Sequence, residues 1–208
     1  MSRKKRDWRK GVFYHVVSRG NNREELFLNG EDFSTFLQIL QKVFEQKAFK
    51  VTAYCLMTNH FHLLIAPQEE SLSKIMSLVN KKYATYFNKK YNRTGHVFEK
   101  RFYAEAVHGK IAMKEVSRYI HFNPVRARMK ESPQLYRWSS FCTYYYNLSS
   151  FPFFDSSALL QFFENQSTYY CSWCFEEEYN NNLKKIQKTL LTLKKLPTCD
   201  QIEKRMEK

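Results

Sequence analysis

The chain has 208 residues, 43% of them hydrophobic, and its 34 Lys and Arg against 20 Asp and Glu give a net charge of +14. Such a length buries one sizeable core with at most a small appendage, and no stretch reads as a membrane span or a cleavable signal, so a cytoplasmic protein is expected, nucleoid-associated in a prokaryote. Residues 1–149 hold 26 basic and 12 acidic residues while 150–208 hold 8 of each; the excess therefore sits in a domain expected at 1–149 and favours a polyanionic partner, nucleic acid ahead of a membrane surface.

Residues 1–10 form a basic arm, with Arg3, Lys4, Lys5 and Arg6, that can follow a phosphate backbone or stay unstructured. Val12 to Ser18 is β-branched and aromatic and predicts a first strand; Arg19, Gly20, Asn21, Asn22 and Arg23 then form a polar turn with donors suited to phosphate. From Glu31 onward Phe33, Phe36, Leu37, Leu40, Val43 and Phe44 recur at helical spacing, predicting a helix that ends before Phe49. Phe49, Val51, Ala53, Cys55 and Met57 alternate with Lys50, Thr52 and Tyr54 as in a strand, and Thr58-Asn59 allows only a tight reversal into the next one.

That next strand holds two histidines. Alternation sends His60 and His62 to one face and Phe61, Leu63 and Ile65 to the other, toward a core. Paired imidazoles on a rigid strand are two parts of a metal site; the plainer alternative is one buried, hydrogen-bonded histidine and one exposed. Pro67 closes the strand, and Ser71 caps a helix whose buried stripe is Leu72, Ile75, Met76, Val79, Tyr83, Tyr86 and Phe87. Its other face carries Lys81, Lys82, Lys89 and Lys90, which face either solvent or nucleic acid.

A turn at Asn92-Arg93-Thr94-Gly95 precedes His96 to Val107, a β-prone stretch with Lys100 and Arg101 that predicts a fourth strand. The order β-α-β-β-α-β is that of an α+β, ferredoxin-like split unit, an antiparallel sheet with helices packed on it. A third helix is expected from Ile111, anchored by Val116 and Ile120 and stopping near Asn123, because Pro124 disfavours helix in the residue before it. Residues 125–149 are basic, then aromatic, and read as a loop packed on the sheet, with Tyr144, Tyr145 and Tyr146 in the core or stacking on bases. The extension at 150–208, whose role is unassigned, is expected to be helical around Leu159–Phe163 and Leu183–Leu196. Cys55, Cys142, Cys171, Cys174 and Cys199 are too scattered for a disulfide framework; Cys171 and Cys174 have the spacing of half a zinc site whose other half is missing.

Tyr119 and Asn123, four apart on a helix, share a face about one turn from each other. If that face lies over the histidine strand, Asn123 can complete a three-ligand site with His60 and His62, with Tyr119 in reach of a bound group. Nitrogen and amide-oxygen donors without thiolate suit a divalent Lewis acid, Mg²⁺ or Mn²⁺, and Zn²⁺ also accepts them.

Three separated motifs in order, Asn59-His60-Phe61-His62-Leu63-Leu64, then Tyr83 to Lys90 with Gly95-His96-Val97-Phe98 and Arg101-Phe102, then Tyr119-Ile120-His121-Phe122-Asn123-Pro124-Val125, resemble the REP-associated tyrosine transposases. These are relatives of the single-strand insertion-sequence transposases in the His-hydrophobe-His (HUH) superfamily, and the likeness runs from about Tyr14 to Phe141. It implies His60, His62 and Asn123 as ligands of a divalent metal and Tyr119 as the nucleophile that forms a 5′-phosphotyrosine. It also implies single-stranded DNA folded into a hairpin as partner. The natural contacts are then the basic arm, the Arg19, Asn21, Asn22 and Arg23 turn, and Lys81, Lys82, Lys89, Lys90, Arg93, Lys100 and Arg101. His121 is expected to face elsewhere, and His15, His96 and His108 to be structural or DNA-contacting. The likeness allows a homodimer with the tyrosine acting in trans, or a monomer.

The expected function is a metal-dependent, tyrosine-nucleophile endonuclease and strand transferase on single-stranded DNA. The alternatives are a domesticated nucleic-acid-binding protein that has lost cleavage and a metal-dependent nuclease that uses water.

Overall fold

The computed structural model describes residues 8–148 and 151–193; Arg3, Lys4, Lys5 and Arg6 of the basic arm, and Cys199, lie outside the described residues. The chain divides into two compact units, residues 1–168 and 169–208. In the first, strands β1 (Phe13–Arg19), β2 (Phe49–Leu56), β3 (His60–Pro67) and β4 (Tyr103–Val107) form one antiparallel sheet in the order β2-β3-β1-β4. Helices α1 (Gly30–Phe44) and α2 (Leu72–Lys90) link β1 to β2 and β3 to β4, which completes the ferredoxin-like order.

The two faces of the sheet bury different things. Tyr14 and Val16 of β1 and Phe61, Leu63 and Ile65 of β3 join the apolar stripes of α1 and α2 in the main core, where Phe36, Tyr83 and Phe61 pack ring against ring. The opposite face holds Ala53, Cys55 and Leu64 against Met113 and Ile120 of α3 (Gly109–Arg126). β2 contributes to both because its register shifts between Val51 and Ala53. The strict alternation expected for Phe49 to Met57 therefore breaks: a bulge inserts one residue, so Phe49 and Val51 face the main core while Ala53 and Cys55 turn to the histidine face. Tyr144 of α4 (Phe141–Tyr146) donates to the Thr52 carbonyl at the bulge, 2.7 Å away, satisfying a group that the ladder leaves open.

Three other expectations shift. Strand β4 begins at Tyr103, not His96; the earlier residues form a loop pinned by Asn21 N–H to Val97 O and Glu99 N–H to Arg19 O. Residues after 125 include α4, and the Phe151–Asp155 stretch bonds the outer edge of β2, with Val51 N–H donating to Phe153 O and Asp155 N–H to Val51 O. After the short α5 (Ser157–Leu160), α6 runs from Ser167 to Leu193, starting well before Leu183 because no Gly or Pro interrupts it. No helix among the described residues is long and apolar enough to cross a membrane.

Asn29 and Asp32 form a capping box at the start of α1, and Asp32 has no solvent exposure. Burial alone would raise its carboxyl, yet Lys90 Nζ at 2.7 Å, the hydroxyls of Tyr91 and Tyr86 at 2.7 and 2.8 Å and the Leu28 N–H at 2.8 Å hold it below the usual carboxylate range. Asp32→Asn, which keeps the shape but not the charge, is expected to cost about 2 kcal/mol in urea unfolding at pH 7. A loss below about 0.5 kcal/mol would show the cluster to be incidental.

Candidate active site

The site is built on the α3 face of β1 and β3. The register places Arg19 opposite His60, Val17 opposite His62 and His15 opposite Leu64, so His15, Arg19, His60 and His62 project to one side. Helix α3 crosses that side, held by Met113 and Ile120, and presents Tyr119 next to Ile120. The Tyr119 ring meets the His62 ring edge-on at 5.7 Å between centroids and the His15 ring at 5.8 Å. His60 stands edge-on to His62 at 4.9 Å. Tyr119 remains 42% exposed, and its hydroxyl has no hydrogen-bond partner among the described residues, so it is open to a reactant. The Arg126 guanidinium, seven residues on and hence on the same helix face, lies 5.2 Å from the centre of the Tyr119 ring.

Each candidate ligand is tethered through the atom that would not bind an ion. Asn59 Oδ1 lies 2.7 Å from His60 Nδ1, and its Nδ2 donates to the Arg23 carbonyl at 3.2 Å, which fixes the amide the right way round. His62 Nδ1 lies 2.9 Å from His15 Nε2. Asn123 Nδ2 donates to the carbonyls of Tyr119 at 2.8 Å and Ile120 at 3.4 Å, while its Oδ1 bonds no described residue. This last tether also explains why α3 does not stop near Asn123 but runs on through Pro124 to Arg126. Proline removes the N–H that would have bonded Ile120 O four residues back, and the Asn123 amide partly replaces it.

His62 is 4% exposed, and its Nε2 is buried without a hydrogen-bond partner. An orphaned buried polar atom costs about 1–3 kcal/mol, and such a cost persists where a function repays it. Burial, with the neighbouring His60, His15 and Arg19 charges, holds His62 well below the ordinary imidazole range; burial and Arg19 bring His60 to about 4. Both rings are thus neutral at pH 7, the form that binds a cation. No group of three His, Cys, Asp or Glu among the described residues is placed to hold a metal ion. The Asn123 carboxamide oxygen, which bonds no described residue, has the chemistry of an oxygen donor to a cation.

Of the candidate nucleic-acid contacts, Arg19, Asn22, Arg23, Lys81, Lys82, Lys89, Lys100 and Arg101 are exposed, and Asn21 is half-buried, its backbone N–H committed to Val97 O. Lys90 is engaged with Asp32 and Glu31, and Arg93 with Glu24. His121 does face away: it is fully buried, with Nε2 2.7 Å from Ser140 Oγ. Sequence reasoning passed over His15 and Arg126 as members of the site. Arg126 could have been found from its i+7 spacing to Tyr119, and His15 from strand alternation once β1 was known to neighbour β3.

No curated protein shows significant sequence similarity to this chain. Among solved structures, the REP-associated tyrosine transposase bound to a REP hairpin superposes with a TM-score of 0.60 at 19% identity, over 73% of this chain and 90% of that one. A protein described as a transposase from Deinococcus radiodurans R1 gives a TM-score of 0.40 at 15% identity, over 62% and 94%. The sequence profile of the family described as "Transposase IS200 like" matches residues 9–123, more than half of the chain. The protein therefore belongs to the IS200-like transposases, enzymes that act on DNA.

Proposed function

We propose that this transposase cleaves and rejoins single-stranded DNA beside a hairpin, with Tyr119 as nucleophile and a divalent metal ion, Mg²⁺ or Mn²⁺, held by His60, His62 and Asn123. The observation that supports it most directly is the edge-on meeting of the Tyr119 ring with a buried His62 whose Nε2 has no partner. The hairpin carried by the solved protein of the same fold supports the substrate class. The ring contacts of Tyr119 with His62 and His15 of its own chain support a tyrosine that acts in cis.

The Tyr119 oxygen attacks the scissile phosphorus and gives up its proton; the bond from phosphorus to the 3′ oxygen breaks, and that oxygen takes a proton to leave as a free 3′-OH. The 5′-phosphate stays on the tyrosine, so the phosphodiester energy is conserved and a 3′-OH can later reverse the step. When bound, the ion supplies Lewis-acid polarisation of the phosphoryl oxygens. Arg126 sets positive charge beside the phenol and Arg19 beside His60, charge that a phosphate at the site would meet. Exposed Arg23, Lys81, Lys82, Lys89, Lys100 and Arg101 supply the remaining sequence-independent affinity for the strand.

The test is incubation with end-labelled, hairpin-flanked oligonucleotides and Mn²⁺ or Mg²⁺, followed by a denaturing gel. A covalent protein–DNA band is expected, lost when the ion is removed by EDTA and restored by adding it back, while the circular dichroism of the protein is unchanged. Retained binding with no cleavage would show a domesticated binding protein, and cleavage without a covalent band a nuclease that uses water.

A further inference from the structure

We propose that His15 is a positioning residue for His62: its Nε2 accepts the Nδ1–H of His62 and so turns the lone pair of His62 Nε2 toward the ion. This inference rests on His62 being a metal ligand, and it adds to the site a residue that touches neither ion nor DNA.

The geometry is specific. His15 lies one cross-strand step along from His62 on the same face; the two rings are 20° from parallel with centroids 5.2 Å apart, and Nε2 of one lies 2.9 Å from Nδ1 of the other. Two neutral imidazoles at that distance share one proton, so there are two arrangements. If His15 donates, His62 carries its own proton on Nε2, a buried N–H that no described residue accepts. If His62 donates, Nε2 presents a bare lone pair, the form a cation requires.

His60 offers a parallel in which the partner allows one arrangement. Asn59 Oδ1 can only accept, so the 2.7 Å contact makes His60 the Nδ1–H tautomer with Nε2 unprotonated. His15 does for His62 what Asn59 does for His60, with a ring nitrogen in place of a carbonyl oxygen. Glu105 supports this. It lies opposite His15 in the β1–β4 register, is tethered by the Tyr103 hydroxyl at 2.8 Å, and places negative charge beside the residue that accepts the proton.

The test uses the full-length protein. Long-range ¹H–¹⁵N spectra of the metal-free form report which ring nitrogens carry protons, and calorimetry with Mn²⁺ alone reports affinity. Wild type is expected to show His62 unprotonated at Nε2. His15→Phe, which has no acceptor, is expected to lose that single tautomer and to bind Mn²⁺ about 10- to 100-fold more weakly. His15→Gln, whose amide oxygen accepts the same proton, is expected to restore both, a rescue that a purely packing role would not give. A proton on His62 Nε2 in the wild type, unchanged Mn²⁺ affinity in His15→Phe, or His15→Gln behaving like His15→Phe while folded would each overturn the inference alone. Wild type that binds no Mn²⁺ would overturn the metal site and the inference together.

Discussion

Tyr119→Phe is expected to fold and bind hairpin DNA as the wild type does, and to form no covalent adduct, with strand cleavage slowed by about 10⁴-fold or more. The substitution removes a single oxygen. That oxygen bonds nothing among the described residues, and the ring is 42% exposed, so unfolding free energy should change by less than about 0.5 kcal/mol. The ring contacts with His62 and His15 remain. What is lost is the atom that would bond phosphorus, and losing a nucleophile forfeits the whole covalent route instead of a fraction of it. The measurement is paired: a filter-binding titration at fixed salt, because phosphate-driven affinity depends on salt, and a single-turnover cleavage series on a denaturing gel. A cleavage rate within tenfold of the wild type would assign the attack to water and Tyr119 to packing.

Two parts of the candidate site were legible in the chain because they rest on local periodicity. Strand alternation placed His60 and His62 together, and helical spacing placed Asn123 one turn beyond Tyr119. The ferredoxin-like class also followed from element order, since hairpins and crossovers of these lengths leave few arrangements. What stayed hidden depends on contacts between strands or on side chains that stand in for backbone. His15 became a neighbour of His62 only through the β1–β3 register, which no local pattern encodes. Helix α3 passed Pro124 because the Asn123 amide bonds the carbonyl that proline strands, a repair that a rule about proline alone does not foresee. The bulge at Thr52 turned Cys55 to the histidine face for a similar reason: its carbonyl is satisfied by Tyr144, about ninety residues later.

The same distinction sorts the basic residues. A helical-wheel reading treats Lys81, Lys82, Lys89 and Lys90 alike, but α1 brings Asp32 and Glu31 against the end of α2 and takes Lys90 out of the pool available to DNA. Lys81, Lys82 and Lys89 make no ion pair with a described residue and keep the charge that a polyanion would meet. Charge that is already neutralised within the fold contributes little to counterion release.

Wild-type protein is expected to lose stability steeply between pH 6.5 and 4, with about 2 kcal/mol of the loss by pH 5 traceable to His121 alone. His121 is fully buried and sits 2.7 Å from Ser140 Oγ, which also accepts from the Tyr54 N–H, so α3 is tied to β2 through one hydroxyl. Burial depresses its pKa to about 3. The unfolded chain, with an ordinary histidine near ~6.5, therefore binds more protons than the folded one between these values, and stability must fall as pH falls through that window. Asp32 acts in a separate range: its lowered pKa means that its contribution is present above the ordinary carboxylate range and is lost only below it, so it does not confuse a measurement at pH 5. His60 and His62 are depressed as well and contribute to the wild-type slope. The comparison must therefore be a difference. His121→Gln keeps a donor for Ser140 and cannot take up a proton, so between pH 7 and pH 5 it should lose about 2 kcal/mol less in urea unfolding than the wild type. Equal losses would mean that His121 is not held neutral in the folded protein and that the Ser140 bridge survives its protonation.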